Sequence, residues 1–355
     1  MSLHAYDGAA VHAGQRGRRH ITDRCCSDHS GRVEYAFNSL GYRGAELDRQ
    51  AEVVVFVVGC SHAFGVGVAE ELTWPQVFCR GFAAHYGIPA AGLNLQNFSQ
   101  GAASNDYITR VILTQCAQVQ PALVLGAFTH NDRVEYLDER AICNIGPWRV
   151  KDPEDRIGTP TNEIADAFYD YYSDEFGAIN AIKNLLLAQE FLRSRRIPYL
   201  FSWIGGGMLG RPKGISSPMI GRLLELIDRA PLCPTSIEQD DVFVDRAADH
   251  AHPGPLSHAR FAARMLATCR AVYPLEHFCP AAIAAPAAHR PSMHPIALPT
   301  RAHRDVVAPS LPPAGPRDDA GQDQAGRPSR QSRWQRLRDK IRRLKKEDPN
   351  IYPLY

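Results

Sequence analysis

Ser61 ends the stretch Val53-Val54-Val55-Phe56-Val57-Val58-Gly59-Cys60-Ser61, and far downstream stands Asp249-His250-Ala251-His252-Pro253-Gly254. A serine hydroxyl becomes a nucleophile only with a base in hydrogen-bond reach, and that base needs a group to fix its tautomer. An Asp three residues before a His on one loop meets the second need locally. Two further polar clusters punctuate the chain. One runs from Ser99 through Gly101 to Ser104, and the other is Thr129-His130-Asn131-Asp132. A developing oxyanion requires donors, which the backbone N–H groups of Ser61 and Gly101 and the side-chain amide of Asn131 could provide. Taken singly, each cluster also reads as an ordinary polar turn.

The elements that must position these residues can be read from the apolar pattern. Five valines and a phenylalanine in a row, stopped by Gly59, describe a strand buried on both faces, as in the centre of a parallel sheet. Leu93–Phe98 and Ala122–Phe128 read as a second and third strand, Ile197–Ile204 as a fourth, and Asp241–Val244 as a short fifth. Val33–Asn38 alternates as an approach strand. Between them run helical patterns: Trp74 to about Tyr86 with Thr73 at the N-cap, about Asn105 to Val119, Asn180 to Arg196, Met219 to Ile227 and Leu256 to Tyr273. Strands alternating with helices imply an α/β fold, a three-layer sandwich around a flavodoxin-like parallel sheet of about five strands. Ligands of such sheets bind at the carboxyl ends of the strands, where Ser61, Gly101 and Asn131 all fall.

Composition sets the bounds. Of 355 residues, 45% are hydrophobic and 22% charged, ordinary for a globular chain with a large core. The nine cysteines contain no CxxC pair, which argues against a zinc site or a disulfide framework and for a reducing compartment. No signal peptide and no transmembrane span are expected, so the expected location is cytoplasmic. Four divisions follow: an irregular leader at 1–31, an α/β domain at 32–279, a Pro/Ala-rich disordered linker at 280–328 and a basic amphipathic tail at 329–355. Within the domain, 133–178 is an aromatic insertion, either a lid facing substrate or an excursion covering a sheet edge. The net charge of +2 conceals a tail with nine Lys/Arg and one acid between Arg330 and Lys346, beside a mildly acidic body.

The four dispersed clusters resemble the SGNH (GDSL-type) hydrolase superfamily. That family has Ser after the first strand, Gly after the second, Asn after the third and Asp-x-x-His near the end. Here they read Gly59-Cys60-Ser61, Gly101, Thr129-His130-Asn131-Asp132 and Asp249-His250-Ala251-His252-Pro253. Tyr35–Gly44, Phe64–Val68, Thr73-Trp74-Pro75 and Ser257-His258 also look like bacterial members, and the resemblance spans about 33–275. It implies Ser61 as nucleophile, His252 as general base and then acid, and Asp249 as its orienter. Ser61, Gly101 and Asn131 would form the oxyanion hole. The implied activity is hydrolysis of a carboxylic ester, an O-acyl or O-acetyl group on a small molecule or carbohydrate, with no cofactor and no metal. Cys60 stands where the family has Asp, and Thr129 where it usually has Gly.

Other readings compete with this one. Cys60 is an alternative nucleophile, but of two adjacent side chains only one can face His252. His250, His252, His258 and Asp249 suggest a metal site, yet His-x-His without a second clustered pair is a poor zinc signature. His250 and His258 read as structural or rim residues, and His62 and His130 as pocket-lining or solvated. The same triad would serve an O-acyltransferase, and a non-catalytic binding module could keep the fold. The basic stretch 330–346 would recruit the chain to an anionic surface or a partner protein.

Overall fold

The computed structural model describes residues 19–22, 33–137, 142–147, 160–204 and 217–278. The five-valine run forms β3 (Val53–Gly59), and every one of its seven residues is buried. Successive side chains of a strand point to opposite faces, so complete burial means that both faces of the sheet are covered. Its neighbours are β4 (Leu93–Asn97) on one side and β5 (Leu123–Phe128) on the other, and β8 (Tyr199–Trp203) continues the sheet. The order is β4-β3-β5-β8, all parallel, with Val57 beside Asn97 and Gly59 beside Ala127. The three polar strand exits therefore lie side by side, as the sequence implies.

Two helix groups supply the cover. α2 (Trp74–Tyr86) packs on α7 (Pro255–Val272), while α3 (Asn105–Gln118) packs on α5 (Asp174–Ser194), which also meets α6 (Pro218–Leu226). Phe78 and Phe82 of α2 and Phe261 of α7 are almost wholly enclosed, each such ring contributing about 2 kcal/mol of transfer free energy. The α/β class and the parallel sheet agree with the sequence reading.

Two local readings need correction, and the N-cap of α2 is refined. Asp241–Val244 is a turn and not a fifth strand, with Val242 and Phe243 both donating to the carbonyl of Gln239. The edge of β8 is instead met at a single bridge, Phe201 to Leu232, closed by Phe201 N–H to Pro231 and Cys233 N–H to Phe201. Thr73 does occupy the N-cap of α2, but its hydroxyl donates to the Glu70 carbonyl, and the Trp74 N–H is taken by Nδ1 of His258 at 2.8 Å. The third helical stretch starts at Asp174, six residues before the expected Asn180, because Ser173 caps it through the Phe176 N–H.

Outside the main sheet, the leader is not irregular throughout: β1 (Arg19–Thr22) pairs antiparallel with β2 (Val33–Ala36). Within the aromatic insertion, β6 (Val134–Leu137) and β7 (Ile142–Ile145) make an antiparallel hairpin, followed by α4 (Pro160–Tyr171). Ile145, Ala165 and Tyr169 form a small core there, separate from the main one. The linker 280–328 and the tail 329–355 lie outside the described residues, as does most of the leader. Among the described residues, no helix is long and apolar enough to cross a membrane.

Candidate active site

The strand β3 delivers Ser61 into a one-turn helix, α1 (Ser61–Phe64), with Cys60 extended at its N-cap position. The chain leaves that turn through Gly65 in the left-handed region. The turn is held from behind by Arg43, only 2% exposed, whose guanidinium donates to the carbonyls of Phe64 (2.9 Å), Gly65 (2.7 Å) and Val68 (2.7 Å). Its face lies on the Tyr35 ring at 4.6 Å, and the Tyr35 hydroxyl accepts the Gly67 N–H at 2.7 Å. Burial pulls Arg43 below its ordinary value, opposed by Tyr35, Glu70 and Glu71. Five donors on a rigid plane reach separated carbonyls while the face stacks on an aromatic ring, a combination that the single ammonium of a lysine does not offer.

Asp249 and His252 sit on a loop closed at its ends by the Arg246–Pro253 bridge and by Ala247 N–H to the His252 carbonyl. Asp249 is 2% exposed. One of its oxygens accepts the backbone N–H groups of Ala251 (3.1 Å) and His252 (3.0 Å), and the other meets Nδ1 of the His252 ring. Burial alone would raise this carboxyl; the hydrogen bond and charge of His252 and the two backbone donors outweigh it and hold it low. Nδ1 is thereby committed to the carboxylate, which leaves Nε2 as the basic nitrogen. This loop docks on the turn that bears Ser61 through Gly67 (φ +72°): a Cβ there would stand 2.8 Å from that of Ala247 and 3.1 Å from the Asp249 nitrogen. The Ala248 N–H donates to the Gly67 carbonyl at 3.0 Å. Glycine meets both the positive φ and the close approach.

The two remaining clusters are anchored in the same region. Gly101 lies buried in a turn fastened to the end of β3 by Gln100 N–H to the Gly59 carbonyl at 3.1 Å. After β5, the Asn105 side chain grips the loop, accepting from Thr129 N–H at 2.7 Å and donating to the carbonyls of Thr129 and His130. Asn131 follows, with its Oδ1 buried and unpartnered. Its carbonyl packs against Gly177 of α5, where a Cβ would come within 2.7 Å, and the Tyr169 hydroxyl donates to the next carbonyl, that of Asp132.

The structure thus brings the loops carrying Ser61, Gly101 and Asn131 to one end of the sheet, with the Asp249–His252 loop docked on the first of them. No hydrogen bond joins Ser61 to His252. Ser61 is 9% exposed and its hydroxyl donates to Cys60 Sγ over 3.9 Å, while the His252 ring lies edge-on to that of His62 with centroids 5.4 Å apart.

Sequence reasoning left His62 and His130 as pocket-lining or solvated, and missed Glu238. His62 has Nδ1 3.4 Å from Cys60 Sγ and Nε2 3.4 Å from Glu238 Oε1, and the same oxygen lies 3.4 Å from His130 Nε2. Burial would raise Cys60, but the charge and hydrogen bond of His62, with Arg133, bring it down to about 5. Burial lowers His62, and Cys60 and Glu238 more than restore it. Glu238, raised by burial, is drawn to about 2 by its hydrogen bond to His130 and by His62, His130 and Arg133. Glu238 lies in the irregular segment Ser236-Ile237-Glu238-Gln239, whose pattern carries no signal of chemistry. Buried His258 is structural, as expected, and is pushed down to about 3, chiefly by burial, with nearby positive charge adding. Among the described residues, no group of three or more His, Cys, Asp or Glu is arranged to hold a metal ion.

No family model matches the chain, and no curated protein matches it. Solved structures similar to it include TesA (TM-score 0.39, 16% identity, 62% of this chain and 99% of that one). Others are the esterase EstA from Pseudoalteromonas sp. (TM-score 0.36, 12% identity, 61% and 97%) and a lipolytic protein of the G-D-S-L family from Veillonella parvula (TM-score 0.34, 13% identity, 61% and 97%).

Proposed function

We propose that the chain is a serine-dependent hydrolase of carboxylic esters, with Ser61, His252 and Asp249 as its catalytic residues. Ser61 Oγ attacks the acyl carbon while His252 Nε2 takes its proton. The same proton then goes to the leaving alkoxide, and Ser61 keeps the acyl group. A water, deprotonated by His252, releases the acid and returns the hydroxyl. Asp249 holds the ring through Nδ1 and balances the imidazolium. The N–H groups of Ser61 and Gly101 and the amide of Asn131 stabilise the oxyanion. The Ser61 proton, directed at Cys60 Sγ in the free protein, must turn to His252 for the attack, in keeping with the loose hydrogen bonds of unliganded catalytic sites.

The observation that carries this reading is the Asp249–His252 pair, its carboxylate buried, doubly braced by backbone N–H groups and docked through Gly67 on the turn that bears Ser61. The substrate is an O-acyl ester of a small molecule or carbohydrate. The basic stretch 330–346 docks on an anionic surface or an acidic partner, apart from the chemistry. A fluorophosphonate probe should label the protein at Ser61, and Ser61→Ala should abolish both labelling and turnover of an acyl-ester panel. Undiminished turnover in that variant would refute the assignment. Should an added alcohol or sugar capture the acyl group in place of water, the same triad serves acyl transfer.

A further inference from the structure

Cys60 and His62 flank the nucleophile in sequence and meet each other in space. Cys60 is wholly buried whereas Ser61 keeps 9% of its surface exposed, which favours Ser61 over Cys60 as the attacking group. Its sulfur nonetheless faces Nδ1 of His62 at 3.4 Å and accepts from the Ser61 hydroxyl at 3.9 Å. The far nitrogen of His62 faces Glu238, which comes from an unrelated loop and also holds His130, the residue before Asn131. We infer that Cys60 and His62 form an anion–cation clasp around Ser61, locked by Glu238, so that Cys60 and Glu238 act through His62 as positioning residues for the nucleophile. One carboxylate then fixes the nucleophile turn and the Asn131 loop relative to each other.

The charges around the clasp favour that state. Cys60 faces His62 and Arg133. His62 faces Cys60 on its own turn, Glu238, Arg133 from the loop after β5, the edge of His252 and the neutral His258 of α7. Glu238 faces His62, His130 and Arg133. An ion pair out of water persists only when both members find partners, and here the thiolate has His62 while the imidazolium has a sulfur on one nitrogen and a carboxylate on the other. A neutral thiol–imidazole pair would leave Glu238 with less to bind.

The activity arm of the test rests on the hydrolase reading, and the spectroscopic arm does not. Thiolate ultraviolet absorbance, taken as the difference between the full-length protein and Cys60→Ser, should reveal one thiolate at neutral pH that titrates at about 5. In Glu238→Gln the midpoint should rise, and kcat on a soluble ester should fall about tenfold with KM held. Cys60→Ser should lower kcat likewise, whereas Cys60→Asp, which restores an anion at that place, should recover it. No thiolate at neutral pH overturns the inference whether or not the protein turns over esters. So does a thiolate whose midpoint ignores Glu238→Gln, or an unchanged kcat in both Cys60→Ser and Glu238→Gln.

Discussion

Asp249 is the residue whose geometry leaves least freedom. Its carboxylate takes two backbone N–H groups on one oxygen and the His252 ring on the other. Asparagine would fill the same space but could present an N–H to the ring, turning the tautomer so that Nε2 carries the proton. Asp249→Asn should therefore fold normally and lose turnover by about 10⁴-fold, as expected when the base is held in the wrong tautomer. Steady-state kinetics beside a circular dichroism melt would decide it; activity within tenfold of the parent would show that the ring is oriented by something else. The carboxyl is depressed by its partners, so the pair should persist below the usual carboxylate range and uncouple only as pH falls through that lowered value.

Among the elements, α2 depends on a group from the opposite end of the domain. His258 accepts the first free N–H of the helix, at Trp74, and its ring is buried. Leucine there would orphan a buried donor at a cost of about 1–3 kcal/mol. The pH dependence has a definite sign. The folded protein keeps this imidazole neutral down to about 3, whereas the unfolded chain protonates it below about 6.5. Acid thus favours unfolding, and stability from this source, complete above 6.5, falls by roughly 1.4 kcal/mol per pH unit beneath it. Urea melts from pH 7 to 4 should slope accordingly in the parent and less steeply in His258→Leu; parallel slopes would disprove the assignment. This contact also marks the reach of sequence reading. The β-branched run, the Gly-flanked Ser61 and the Asp249–His252 spacing are local patterns, and all were legible. Thr73 was legible as a position but not as a cap, since the acceptor that matters lies 184 residues away. Asp241–Val244 has strand-like residues but no strand beside it, and Glu238 acquires its meaning only when two other loops close on it.

For the molecule as a whole, the proposed chemistry draws on residues 33–275, and we propose that the basic tail acts apart from it. Deleting 330–355 should leave turnover of a soluble ester unchanged while weakening retention on anionic vesicles at low salt. Equal retention with and without the tail would dismiss its docking role. The aromatic insertion stands in a different relation to the centre. Its small core of Ile145, Ala165 and Tyr169 is independent of the main one, yet Tyr169 ties into the Asp132 carbonyl and Gly177 presses on that of Asn131. Drift in this appendage is therefore tolerated by the sheet but felt by the loop that carries Asn131, the oxyanion donor we propose. If the insertion faces substrate in the hydrolase we propose, remodelling it would also shift the Asn131 loop, so that selectivity and speed would be coupled traits.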